Sequence, residues 1–148
     1  MGKAVQFAAM MLTALALVPA GAHLFELPNK IGLAREAYFT VQSIYRGWAL
    51  FGVALIGAIL LNAVHAVLVR GEPAAFRPAL LATVLLFATL AIFLVWTYPA
   101  NQATANWTTA PANWLDLRRQ WEYAHAAGAV LTFAALACLT LSLLAARR

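Results

Sequence analysis

Apolar residues run through the chain in four long stretches, and polar or charged positions are gathered in the short segments between them. A helix that crosses a bilayer needs about 20 mostly apolar residues. Four stretches meet that length: Ala4 to Leu27, Ile44 to Val69, Pro78 to Tyr98 and Trp121 to Ala146. Each is rich in Ala and Leu, so the pattern predicts an all-α integral membrane four-helix bundle as a single domain over residues 1–148. Each is free of acid or base until near its ends, apart from His23 and Glu26 in the first stretch, His65 in the second, and Glu122 and His125 in the fourth.

The connections are unequal. Residues 70–77 make a short turn with Gly71 and Pro73 as breakers, whereas residues 28–43 and 99–120 are long. Pro28, Asn29 and Gly32 are expected to end the first helix, and Leu33 to Ser43 to form a short amphipathic lead-in to the second. Pro99 is expected to close the third. Pro111 suits the first turn of a helix that runs on into the fourth span. The first stretch also has the form of a signal peptide, with Lys3, an apolar run and Ala20-Gly21-Ala22 as a cleavage site that would leave His23 at a new N-terminus.

Composition supports the membrane reading. The 148 residues are 64% hydrophobic and 10% charged, against about 45–50% and about 25% in ordinary soluble domains. The net charge of +5 forms no basic stripe, so nucleic acid is not an expected partner. The one cysteine, Cys138, excludes an intramolecular disulfide and reads as a small buried apolar side chain. Four spans place both termini on one side, with Lys3, Arg70, Arg77, Arg147 and Arg148. Lys30, Arg35, Arg46, Arg118 and Arg119 lie on the other. The first group is packed into short segments and the second is spread over long loops, so cytoplasmic termini in a bacterial inner membrane are expected. All five Trp and all four Tyr fall on the long-loop side. An aromatic belt normally occurs at both interfaces, so a structured cap or pocket competes with the belt as the explanation.

The candidate chemistry sits on that same side. His23 and Glu26 stand at i, i+3 near the outer end of the first span, and Glu122 and His125 at i, i+3 near the outer end of the fourth. Residues three apart share a helix face, so adjacent first and fourth helices would bring two imidazoles and two carboxylates together. Ionisable residues inside a span are costly and are functional candidates by default. Glu-x-x-His is also the spacing of di-iron bundles, but the second and third spans supply no further Glu. A single transition metal (Fe, Cu or Zn) on His23, Glu26, Glu122 and His125 fits the donor types, and two His alone can ligate a haem iron. A general acid/base role on an organic substrate fits as well. Against these stands ordinary pairing: Glu26 with Lys30, and Glu122 with Arg118 or Arg119, at helical spacing. Asn62 and His65 share an inner face of the second span, where polar side chains commonly bond to a neighbouring helix. Asn106-Trp-Thr108 matches a glycosylation sequon, a triplet frequent by chance.

The stretch Tyr98-Pro-Ala-Asn-Gln-Ala-Thr-Ala-Asn-Trp, then Asn113-Trp, then Leu117-Arg-Arg-Gln-Trp-Glu-Tyr-Ala-His125 resembles small four-span proteins of the anthrone oxygenase-like family. The resemblance covers the layout of the whole chain and the motif of residues 98–125. It implies an oxygenase that oxidises an anthrone to an anthraquinone with dioxygen and no known cofactor. By motif position it implies Asn101, Arg119, Trp121 and His125 as site residues. Glu122 and the His23–Glu26 pair map to no family activity.

Two functional classes emerge. One is an oxidoreductase or oxygenase acting on a lipophilic small molecule at the outer face through His125, Glu122, His23 and Glu26. The other is a non-enzymatic membrane subunit whose aromatic cap binds a protein partner, a lipid or a quinone. A transporter is disfavoured, since no broken helix or inverted repeat is visible.

Overall fold

The computed structural model describes residues 2–146. Arg147 and Arg148, used above to weigh orientation, lie outside the described residues. The element order is α1 (Gly2–Lys30), α2 (Arg35–Gln42), two short 3₁₀ turns (Ser43–Tyr45 and Trp48–Leu50), α3 (Phe51–Leu68), α4 (Pro73–Ile92), a π-helical segment (Phe93–Thr97), α5 (Tyr98–Ala103) and α6 (Trp114–Ala145). Four stretches are long and apolar enough to cross a membrane: Gly2–Lys30, Trp48–Leu68, Pro73–Ala103 and Trp114–Ala145. The expected all-α four-helix bundle is what the chain forms.

The bundle is built around small residues. Ala9, Ala58, Ala75, Ala79, Ala82 and Ala135 are fully buried, while Phe7, Phe25, Phe87, Phe133 and Leu144 point outward. This is the inverse of a water-soluble bundle and suits a lipid surround, where close backbone approach rather than large-side-chain burial drives helix association. α1 packs on α3 and α6, and α4 packs on the same two helices, so the four spans form a closed ring. The first and fourth spans are therefore neighbours.

Polar side chains tie the helices at the inner half. Asn62 Nδ2 on α3 donates to Thr13 Oγ1 on α1 at 3.0 Å. Ser142 Oγ on α6 donates to the Ala75 carbonyl on α4 at 2.7 Å and lies 2.9 Å from His65 Nε2 on α3. Such bonds fix which faces meet, because apolar contacts alone are indifferent to register in lipid.

Three boundaries differ from the sequence expectation. α1 carries Pro28 inside its last turn and ends at Lys30. α6 begins at Trp114, three residues after the start expected at Pro111, and runs on into the fourth span as expected. Pro99 does not close the third span. It lies in the first turn of α5, and the helix passes from α4 through the π segment into α5. Proline lacks an N–H and its ring clashes with the carbonyl four residues back. The wider π turn accommodates that defect, and the neighbouring Trp96 carbonyl accepts from Gln120 Nε2 on α6 at 2.8 Å.

Candidate functional site at the outer end of the bundle

α1 contributes His23, Glu26 and Lys30 at i, i+3 and i+7, one stripe along its last two turns. α6 contributes Arg118, Trp121, Glu122 and His125 along its first three turns. The two stripes face each other because α1 and α6 are neighbours. The loop between α1 and α3 folds over them. α2 has the expected amphipathic character and presents Tyr38 and Gln42 inward at i, i+4.

Lys30 is the centre of this cluster. It is 3% exposed, and its ammonium lies 2.8 Å from Tyr45 Oη, 3.1 Å from Glu122 Oε1 and 3.3 Å from Glu26 Oε1. Three N–H donors thus meet three acceptors. The ammonium also lies over the Tyr45 ring at 4.3 Å and the Trp121 ring at 4.6 Å, a favourable place for a cation. Glu122 is fully buried and takes a second hydrogen bond from Tyr38 Oη at 2.8 Å, and Tyr38 Oη accepts from Gln42 Nε2 at 2.6 Å. Arg118, also buried, donates to the Leu33 carbonyl at 2.7 Å and stacks on Trp114 and Tyr38. Two cations and two carboxylates balance in the buried volume, the condition under which burying charge is tolerable. Burial pushes the Tyr38 phenol well up, and the adjacent Glu122 carboxylate pushes it further. Burial likewise raises Tyr45, followed by its hydrogen bond to Glu26.

The two imidazoles come together below Lys30. Their ring centroids are 4.2 Å apart with planes inclined at 36°. Glu26 Oε1 lies 2.7 Å from His23 Nδ1 and also accepts from Lys30. A carboxylate accepting from a lysine is an acceptor here too, so His23 Nδ1 carries the proton and Nε2 is its basic atom. Trp121 walls both rings, at 4.1 Å from His125 and 4.9 Å edge-on to His23. His125 itself makes no hydrogen bond among the described residues and is only half-buried. Tyr45 and Trp48 close the other side of His23.

Above this lies the aromatic cap. Asn101 Oδ1 accepts from two indoles at once, Trp121 Nε1 at 2.8 Å and Trp107 Nε1 at 3.1 Å. Trp107 packs edge-on against Tyr38 and Trp121. It reaches there through Ala105, Asn106 and Trp107, three consecutive non-glycine residues with φ of 48°, 55° and 65°. The one-sided aromatic set is thus a packed cap, while Trp96, Tyr98 and Tyr123 face outward as a belt would.

Several expectations change. His23, Glu26, Glu122 and His125 do converge, but not as metal ligands. Among the described residues no group of three or more His, Cys, Asp or Glu side chains is arranged to hold a metal ion. The carboxylates turn to Lys30. Glu122 pairs with Lys30 and Tyr38 rather than with Arg118 or Arg119. Arg119 points out of the site, with a side chain 67% exposed and 3.8 Å from Asp116. Asn101 holds the cap indoles rather than lining an open site. Lys30 was expected only as a partner of Glu26; Tyr38, Gln42 and Tyr45 carried no sequence signal beyond lying on the aromatic side.

No family model matches the chain, and no curated protein or solved structure matches it either.

Proposed function

We propose that the chain is a multi-pass membrane oxidoreductase that oxidises a lipophilic substrate at the outer end of the bundle, with His125 as the proton acceptor. The observation that carries this reading is the state of His125. Every other ionisable side chain of the buried cluster has at least one named hydrogen-bond partner, although Glu122 Oε2 and Arg118 Nε are left without one. His125 has aromatic walls, a half-buried ring and no hydrogen bond. The alternative of a purely structural subunit accounts for Lys30, Glu122 and Asn101 and gives His125 nothing to do.

The chemistry follows from the resemblance in residues 98–125 and from the ring pair. A substrate carbon flanked by carbonyl or aromatic groups loses a proton to His125, leaving its electron pair on the substrate. Dioxygen accepts that electron density and a C–O bond forms. Loss of water then leaves a carbonyl, so a CH₂ group and one O₂ give C=O and one H₂O. His23, held by Glu26 through Nδ1, lies against His125 and fixes one face of that ring.

The same reading places the long loops on the outside of a bacterial inner membrane and the termini in the cytoplasm. Lys30 and Arg118 support that orientation, because both are buried, Lys30 against Glu26 and Glu122 and Arg118 against the Leu33 carbonyl. The loop-side basic residues left exposed are Arg35, Arg46 and Arg119, and Arg35 is paired with Glu36.

Dioxygen uptake by the purified chain in detergent, with anthrone as substrate, tests the reading. Uptake is expected in the parent chain, with a loss of about 10²–10⁴-fold in His125→Phe, the usual span for a general base. Uptake unchanged by that substitution would remove His125 from the mechanism.

A further inference from the structure

The inner half of the bundle contains a second polar group that the outer site does not use. Asn62, His65, Thr13 and Ser142 are all buried, with relative exposures of 0%. They lie one helix-length away from the outer cluster, since Asn62 is about 20 Å along the helix axis from Trp48. Every proton in this group can be assigned. Thr13 Oγ1 donates to the Ala9 carbonyl at 2.7 Å. Asn62 Nδ2 spends its two protons on Thr13 Oγ1 and the Ala58 carbonyl. Ser142 Oγ spends its one proton on the Ala75 carbonyl. The contact between Ser142 Oγ and His65 Nε2 therefore has the histidine as donor. That fixes the tautomer: the proton is on Nε2, and Nδ1 bears a lone pair.

Two acceptors remain, Asn62 Oδ1 and His65 Nδ1, and both are buried without a hydrogen-bond partner. They stand three residues apart on α3, where Cβ atoms are about 5–6 Å from each other. Asn62 Nδ2 reaches both Thr13 on α1 and Ala58 on the preceding turn, so its protons are spent and Oδ1 is left as a bare acceptor. Two lone pairs cannot satisfy each other. They match a ligand that donates two hydrogen bonds and spans the gap with bonds of about 2.7–3.0 Å.

We propose that Asn62 Oδ1 and His65 Nδ1 form a binding site for one small hydrogen-bond donor, water or ammonium, in the interior of the inner half of the bundle. The ligand bridges two acceptors of α3 that already reach α1 through Thr13 and α4 and α6 through Ser142, so it completes a polar layer joining all four spans.

Nitrogen NMR of the full chain, labelled at histidine and held in detergent at neutral pH, tests the proposal. The expected spectrum has His65 protonated at Nε2 and a hydrogen-bonded lone pair at Nδ1. Cross-relaxation from Nδ1 neighbours to a long-lived water identifies water; a shift that saturates with added ammonium chloride identifies ammonium. A bare lone pair at Nδ1, or an Nδ1–H bonded directly to Asn62, would overturn the site. In Asn62→Leu the bridge loses one end, and Nδ1 is expected to move to its bare position while the bond to Ser142 persists. An Nδ1 signal unchanged in that variant would also count against the bridge, and the parent spectrum decides the matter if the variant does not fold.

Discussion

The imidazoles of His23 and His125 lie 4.2 Å apart, centre to centre, although 102 residues separate them in the chain. That contact requires α1 and α6 to be neighbours and their polar stripes to lie at one depth. It also gathers Glu26, Glu122 and Tyr45 around a single ammonium, Lys30, and several of the predictions below follow from how that cluster is balanced.

Removing Lys30 should be among the most damaging single changes. Lys30→Met leaves Glu26 and Glu122 facing one another without the cation between them. Breaking a buried pair from one side costs about 3–5 kcal/mol. Unfolding of the variant in detergent should show a loss of that order, and Lys30→Met combined with Glu122→Gln should recover a large part of it. Equal stability of parent and single variant would mean that the cluster is solvated rather than buried.

Asn101 and Arg119, expected together as site residues, should behave very differently. Asn101→Leu orphans two indole N–H groups, each worth about 1–3 kcal/mol when buried unpaired. Asn101→Asp keeps an acceptor and should retain much of the stability and of the tryptophan emission. Arg119→Ala removes an exposed side chain and should stay within about 0.5 kcal/mol of the parent. Arg118→Ala, which unties the Leu33 carbonyl and uncovers Tyr38 and Trp114, should not.

Alkaline titration offers a check on the cap. Folding raises the phenols of Tyr38 and Tyr45 above the ordinary value of about 10. A raised folded-state pKa means that the folded chain retains a proton the unfolded chain gives up. The resulting stability is intact below pH 10 or so and is lost as pH climbs beyond it. Phenolate absorbance from these two residues should appear together with the loss of tertiary structure. Their ionisation in a chain still folded would contradict the enclosed cap.

The left-handed run at Ala105, Asn106 and Trp107 carries a stability cost that can be relieved. An alanine at φ of 48° is strained by about 1–2 kcal/mol relative to glycine. Ala105→Gly gains that relief but makes the unfolded chain more flexible. A net stabilisation below about 1 kcal/mol is expected, with the Trp107 contacts unchanged. A large destabilisation would show that the run is not left-handed.

The sequence made the spans, the facing His/Glu pairs and the amphipathic α2 legible, because each is written in local periodicity. What it did not show depends on where the long loops fold. Nothing in the spacing of Tyr38 says that it drops onto Glu122, 84 positions away, with Gln42 donating to it from behind. Arg118 and Arg119 are adjacent, and only their rotation about α6 makes one buried and the other exposed. Pro99 reads as a stop by its own chemistry, and continues the helix because the π turn before it absorbs the defect. Lys30 was visible as a partner of Glu26 through i, i+4 spacing, but its contact with Glu122 crosses between helices.

The proton removal proposed for His125 can be measured apart from oxidation. Anthrone kept under anaerobic conditions in D₂O with the purified chain in detergent should exchange its CH₂ protons for deuterium faster than in detergent alone. The excess rate should vanish in His125→Phe and persist in Arg119→Ala. Exchange no faster than in detergent alone, or an excess rate equal in His125→Phe, would contradict the role given to His125.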